Sequence, residues 1–211
     1  MDEQNLRRQI IATAIMMNES GLNQGTSGNI SVRYQDGYLI TPSALPYDET
    51  TPADIIFMKF DGEIQGSREP SSEWRFHHDI LQQRPEVNCV LHTHSNFATS
   101  LACLKMEIPS FHYMIAVAGG KNIRCADYAT FGTQQLSNNA LKALEERKAC
   151  LLANHGMIVL GASLKSAYTL AVEVETLAAQ YWRALQIGKP NLLSDAEMRI
   201  VLEKFKTYGQ K

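Results

Sequence analysis

The sequence predicts an α/β protein in which helices pack on a mixed or mostly antiparallel sheet. Three observations carry that expectation. Strand-like segments cluster in the middle of the chain. Helical segments lie at both ends and between the strands. Several strands are joined by hairpin turns, which force antiparallel pairing. The 211 residues show no repeat, low-complexity tract or Pro/Gly/Ser linker, so one domain over residues 1–211 is expected.

The elements follow in order. Glu3 to Glu19 carries Ile10, Ala14 and Met17 at helical spacing, and Gly21 is a stop signal. Gly28 to Tyr34 alternates as a strand, Asp36-Gly37 is a tight hairpin turn, and Tyr38 to Thr41 returns. Ile55 to Phe60 is a further strand, closed by Asp61-Gly62. A helix begins near Ser71-Ser72 and carries Glu73, Trp74 and Phe76 in its first turns. Val87 to His94 is a strand and Asn96 to Leu104 a short helix. Leu151 to Leu160 reads as two strands meeting at His155-Gly156. Ser163 caps a long helix to Ile187, and Ser194 with Glu197 forms a capping box for a last helix that ends before Gly209.

Composition narrows the function. Apolar residues are 45% and charged residues 20%, which is globular and not disordered. A net charge of −2 demotes a nucleic-acid binder. No apolar run approaches eighteen residues, so no membrane span is expected. Arg7-Arg8 precede the apolar run Ile10 to Met17, but Asp2 and Glu3 come first and no small-residue cleavage site follows, so an amphipathic helix is expected there and not a signal peptide. Cys89, Cys103, Cys125 and Cys150 form no C-x-x-C pair and each sits in an apolar stretch; buried free thiols in a reducing, cytoplasmic compartment are expected.

The sharpest chemical feature is His92-Thr93-His94 at the end of an apolar strand. Side chains two apart on a strand share a face, so two imidazoles can converge on one ion. Alone, the pattern is equally a pair of satisfied histidines. His155, at a turn marked by Gly156, can bring a third imidazole back toward them. Three neutral nitrogens with an open position is the usual design of a catalytic zinc site, whereas a structural zinc would use cysteines that are not spaced for it here. His112 is a possible substitute ligand; His77 and His78 read as surface or supporting groups. Glu73 at a helix start is on its own a carboxylate complementing the dipole, with a metal ligand or acid/base as the functional reading. Gly25 to Asn29, Thr41-Pro42-Ser43 and Ser71-Ser72 are individually turns and caps, but together could hold a phosphate; none matches a P-loop. Tyr113 reads as core with a paired hydroxyl, and Tyr208 as a terminal residue that frays or reaches a neighbouring subunit.

The runs Gly21 to Arg33 and Pro70 to His77, with His92-Thr93-His94, resemble the class II aldolase/adducin family. So do the segments Ile108 to Ala116, Tyr128 to Thr133 and Leu202 to Gly209, and the resemblance spans nearly the whole chain. It implies a three-layer α/β/α fold with a central, mainly antiparallel sheet, and a zinc-dependent lyase forming a fourfold homotetramer with active sites between subunits. It implies that His92, His94 and His155 bind one zinc per subunit, with Glu73 as both resting ligand and acid/base. Asn29, Ser43, Ser71 and Ser72, with the Gly28 backbone and Ala44 in the phosphate loop, would hold the phosphate of a small sugar phosphate. Tyr113 would help protonate the aldehyde-derived oxygen, and Tyr208 would enter from the next subunit. L-Fuculose 1-phosphate is the substrate so implied, cleaved to dihydroxyacetone phosphate and L-lactaldehyde. Cleaving a carbon–carbon bond beside a ketone leaves an enediolate that needs an electrophile; no lysine occupies a Schiff-base motif, whereas three histidines can hold a Lewis acid. Neither a nucleic acid nor a membrane is expected as a partner. Two departures stand out: Ala44 where relatives carry Gly, and Thr93 where they carry Asn. The alternatives are an aldolase, decarboxylase or 4-epimerase for another sugar phosphate in the family, and a non-catalytic adducin-like scaffold.

Overall fold

The computed structural model describes residues 2–207. In chain order the elements are α1 (Glu3–Glu19), β1 (Asn29–Tyr34), β2 (Gly37–Ile40), β3 (Ile56–Lys59), β4 (Ile64–Gln65), α2 (Trp74–Gln83), β5 (Cys89–Thr93), α3 (Asn96–Cys103), β6 (Arg124–Ala126), α4 (Gln134–Ala143), β7 (Ala149–Leu152), β8 (Gly156–Gly161), α5 (Leu164–Ile187) and α6 (Asp195–Thr207). The strands form one sheet in the order β4-β3-β2-β1-β5-β8-β7-β6. Every neighbouring pair is antiparallel except β6 with β7.

Alternation along the strands divides the core between two faces. Ile30, Leu39, Leu91 and Val159 point to one side, where α1, α3 and α5 cover them with Ile10, Ala98 and Leu177. Tyr38, Ile40, Val90 and Ile158 point to the other, against Phe76 and Ile80 of α2 and Leu136 and Ala140 of α4. The result is three layers, helices over sheet over helices. Because both faces are covered, the central strands are apolar at nearly every position and not at every second one.

The differences from expectation are local. The sequence pattern did not show β6 or α4. The first is three residues long. The second is a polar helix started by Thr133, whose Oγ1 accepts from Leu136 N–H at 3.3 Å. The helix expected from Ser71 begins instead at Trp74, because Trp74 N–H donates to Ser71 O at 3.0 Å and closes a turn that leaves Glu73 at the cap position. All four cysteines are free, but only Cys89 and Cys150 are buried; Cys103 is exposed at the end of α3, and Cys125 is partly covered. Burial pushes the Cys89 thiol up to about 12, which removes it as a nucleophile. Among the described residues no helix is long and apolar enough to cross a membrane.

Candidate active site

The middle of the sheet sets the site. Asn29 of β1 pairs with His92 of β5, which pairs with Ile158 of β8, so the ends of three central strands meet. His92 and His94 leave β5 on the same face. The β7–β8 turn returns His155 over them, with Asn154 in the left-handed region at φ 55°. Gly156 makes this approach possible: a Cβ there would strike the Thr93 carbonyl and crowd the His94 and His92 rings. Glu73 enters from the start of α2. One ligand atom from each of Glu73, His92, His94 and His155 lies within 4.8 Å of all the others.

Proton positions in this cluster follow from its partners. His92 Nδ1 lies 2.9 Å from the Met157 carbonyl, so Nδ1–H donates there and the bare Nε2 faces inward. That nitrogen sits 2.9 Å from His94 Nε2 and 3.3 Å from Glu73 Oε2, and His155 Nε2 is 3.1 Å from Glu73 Oε1. Burial pushes His92 down to about 3 and lowers His94 as well, which keeps both rings neutral and able to coordinate. Glu73 is 7% exposed. Burial works to raise its carboxyl, but the His92 and His155 rings and the Asn29 amide outweigh that and hold it well below the usual carboxylate range. Its buried Oε1 has no aligned hydrogen-bond donor. An orphaned carboxylate oxygen among three ring nitrogens fits a shared cation, so the donor set suits a metal.

Beside the cluster opens a cavity of about 340 Å³, lined by Thr26 to Asn29, Pro42 to Ala44, Ser71 to Glu73, His94, Tyr128, Ala129, Phe131, Asn154 and His155. Its three small-residue segments are knitted together by the backbone. Thr41 N–H donates to Ile30 O at 3.1 Å, Ser43 N–H to Glu69 O at 3.0 Å, and Ser71 N–H to Thr41 O at 3.0 Å. Tyr47, buried beneath, donates its hydroxyl to the Gly28 carbonyl at 2.8 Å. Gly28 has φ 78°, and a Cβ there would run into the Asn23 side chain. Asn23 Oδ1 in turn accepts from His94 N–H at 3.2 Å, which joins this loop to the histidines.

The profile of the Class II Aldolase and Adducin N-terminal domain family matches residues 8–182. A 5-methylthioribulose-1-phosphate/5-deoxyribulose-1-phosphate aldolase of Rhodospirillum rubrum is 60% identical over 204 residues, covering 97% of this chain and 92% of that protein. The L-fuculose phosphate aldolase of Escherichia coli K12 is 51% identical over 210 residues, covering 99% and 98%. A solved L-fuculose 1-phosphate aldolase superposes with a TM-score of 0.94 at 41% identity, over 98% of each chain. This chain belongs to the class II aldolase and adducin family. Within it the chain is an aldolase and not a bare scaffold, since the four-residue donor set is kept whole.

In this class II aldolase, Glu73, His92, His94 and His155 are brought together, and Gly28, Asn29, Ser43, Ala44, Ser71 and Ser72 line the adjoining cavity. His112 is not with them: its Nδ1 accepts from Met114 N–H at 3.2 Å and starts the 3₁₀ turn Tyr113–Ala118. Tyr113 is not core, as its apolar surroundings suggested. It is 52% exposed, stacked between His112 and Phe205, and does not line the cavity of its own chain. Tyr208 lies outside the described residues. His77, read as a surface or supporting group, is fully buried. Thr93 points away from the cluster, its Oγ1 accepting from Ser95 N–H at 3.3 Å. Sequence reasoning passed over Glu175 of α5. Its carboxylate accepts from Ser95 Oγ–H and from the Phe97 and Ala98 amides at 2.8–2.9 Å, capping α3 directly behind His94. Its only signal is an acidic residue in an otherwise apolar helical stripe.

Ala44 stands at φ 55°, the left-handed region that favours glycine. Such a backbone costs a residue with a Cβ about 1–2 kcal/mol, of which a glycine would give back about 0.5–1 in the unfolded chain. Ala44→Gly is therefore expected to stabilise the protein by about 0.5–1 kcal/mol and raise the thermal midpoint by about 2–3 °C. With the methyl gone from the cavity wall, KM for a phosphorylated substrate should fall. Calorimetry and steady-state kinetics on the one variant check both.

Proposed function

We propose that this protein, acting as one catalytic domain, reversibly cleaves a ketose 1-phosphate between C3 and C4, releasing dihydroxyacetone phosphate and a short aldehyde. The observation that carries this reading is the junction of a four-donor metal cluster with a cavity walled by three small-residue loops. The metal is proposed to be zinc. Imidazole nitrogens and a carboxylate oxygen are donors that zinc takes, and the four donor atoms here lie within 4.8 Å of one another, three of the pairs at 2.9–3.3 Å. Held by His92, His94 and His155, with Glu73 in the resting site, it would supply the Lewis acidity that takes up negative charge as the carbon–carbon bond breaks.

The chain's own residues do the rest. Backbone amides and hydroxyls of Gly28, Asn29, Ser43, Ala44, Ser71 and Ser72 bind the phosphate and so fix the reacting carbons against the cluster. Glu73, ionised at the cavity wall, removes the C3 proton of dihydroxyacetone phosphate in synthesis and returns it after cleavage. Tyr113 would protonate the aldehyde-derived oxygen. Because Tyr113 is exposed and outside its own chain's cavity, that role needs a neighbouring subunit, in keeping with a homotetramer whose sites lie at subunit boundaries; Tyr208 is assigned to the same boundary. The free thiols suit a reducing cytoplasm.

L-Fuculose 1-phosphate is the first candidate substrate. 5-Deoxyribulose 1-phosphate and its 5-methylthio analogue are the second, favoured by the 60% identity to the Rhodospirillum rubrum aldolase and by two exposed aromatic rings, Tyr128 and Phe131, at the cavity. Apolar rings suit an aldehyde whose far end lacks hydroxyls. The test measures release of dihydroxyacetone phosphate from each of the three by metal-loaded and chelator-treated protein. One ketose phosphate is expected to exceed the others by about tenfold or more in kcat/KM, and only with metal. No release from any would overturn the reading.

A further inference from the structure

A buried polar chain leads away from the cluster into the second helical layer. His77 of α2 is 0% exposed and stacks on Phe76 with ring centroids 4.6 Å apart. Its Nδ1 lies 2.7 Å from Ser31 Oγ and its Nε2 2.6 Å from Asn29 Oδ1. Asn29 Nδ2 lies 2.9 Å from Glu73 Oε2. Ser31 and Asn29 are two apart on β1, on one face of the strand, so a single imidazole spans both.

Only one arrangement with a neutral imidazole satisfies every member of this chain. An ionised carboxylate accepts and cannot donate, so Asn29 must turn its Nδ2 to Glu73. Its Oδ1 then faces His77 and needs a donor, which puts the proton on Nε2. Nδ1 is left bare and accepts from the Ser31 hydroxyl. Burial agrees, since it pushes His77 down to about 3 and keeps the ring neutral. The other neutral tautomer would set two acceptors against each other 2.6 Å apart, or flip Asn29 and press its oxygen on the carboxylate.

We propose that His77 is a positioning residue that locks the Asn29 amide with its donor toward Glu73, and so fixes the carboxylate that moves the substrate proton. This rests on the reading of Glu73 as the acid/base. His77 does not line the cavity, and its two ring nitrogens meet Ser31 and Asn29, neither of them a metal ligand; it acts through Asn29. The chain explains why an imidazole is wanted there: no apolar side chain of that shape could donate to Asn29 and accept from Ser31.

Two measurements test it. Long-range ¹H–¹⁵N NMR on metal-free wild-type protein at neutral pH is expected to show His77 as the neutral Nε2–H tautomer. An Nδ1–H tautomer or an imidazolium overturns the proposal. This readout needs no substrate, so it stands apart from whether any ketose phosphate is cleaved. The second compares His77→Phe, which keeps the ring shape and loses both polar atoms, with His77→Gln, which can still donate toward Asn29 Oδ1. His77→Phe is expected to lower kcat about 10- to 100-fold, with KM within about threefold and bound zinc unchanged. His77→Gln is expected to recover most of that loss. Equal losses in the two variants, a wild-type rate in His77→Phe, or a change confined to KM would each overturn it. Should His77→Phe fail to fold, the wild-type tautomer and the kcat of His77→Gln decide, with a 10-fold or greater loss in the latter counting against the lock.

Discussion

Glu73→Gln is expected to keep its metal and lose about 10²- to 10⁴-fold in kcat, the range that a positioned acid/base supplies. The substitution preserves shape and leaves His92, His94 and His155 in place. An amide oxygen can still accept from Asn29 Nδ2, now 2.9 Å from Glu73 Oε2. What is lost is a group that can hold a proton and give it back. Zinc content by mass spectrometry and kcat by coupled reduction of dihydroxyacetone phosphate separate the two effects. A sharper reading comes from dihydroxyacetone phosphate alone in deuterated water. Wild-type protein should exchange the C3 proton without any aldehyde present, and the variant should not. A variant that exchanges at the wild-type rate would remove Glu73 from the proton transfer and leave it a metal ligand only.

The parts of this site that could be read in the sequence are those set by short-range geometry. His92 and His94 converge because a strand puts alternate residues on one face, and His155 sits at a turn that Gly156 makes tight. Hairpin signals gave the antiparallel pairs β1–β2 and β7–β8. Ala44 was legible as a departure only against the family resemblance, which has Gly there, and its φ of 55° supplies the physical reason. What could not be read depends on contacts far apart in the chain. The polar face of α4 conceals that Leu136 and Ala140 fill the second core. Tyr113 looked internal from its apolar neighbours, yet those neighbours point inward and leave its ring outside. His77 had a usable signal that was passed over: it shares a helical face with Ile80 and Leu81, both fully buried, and with Glu73 one turn earlier. The order of Ser31, His77, Asn29 and Glu73 could not be foreseen, because it joins residues 44 to 48 positions apart.

The same buried imidazoles predict how the metal-free protein responds to acid. His77 and His92 are each pushed down to about 3 by burial, whereas a histidine in the unfolded chain titrates near 6.5. Between those limits the unfolded state binds protons that the folded state refuses, so stability falls as pH falls. At neutral pH and above the contribution is complete. From pH 7 to pH 5 each ring should cost on the order of 2 kcal/mol, and His94, lowered in the same direction, adds to the trend. Glu73 does not offset it. Its carboxyl is depressed, so it favours the fold above its unfolded value and loses that contribution only at lower pH still. Two rings together imply a thermal midpoint lower by roughly ten degrees at pH 5 than at pH 7 for a chain of this length. Calorimetry on chelator-treated protein across that range checks the slope. His77→Gln carries no titrating ring at one of the two positions, so its midpoint should depend on pH about half as steeply. A flat profile in the wild type would mean that the folded protein takes up these protons, and that the rings are not held neutral by burial.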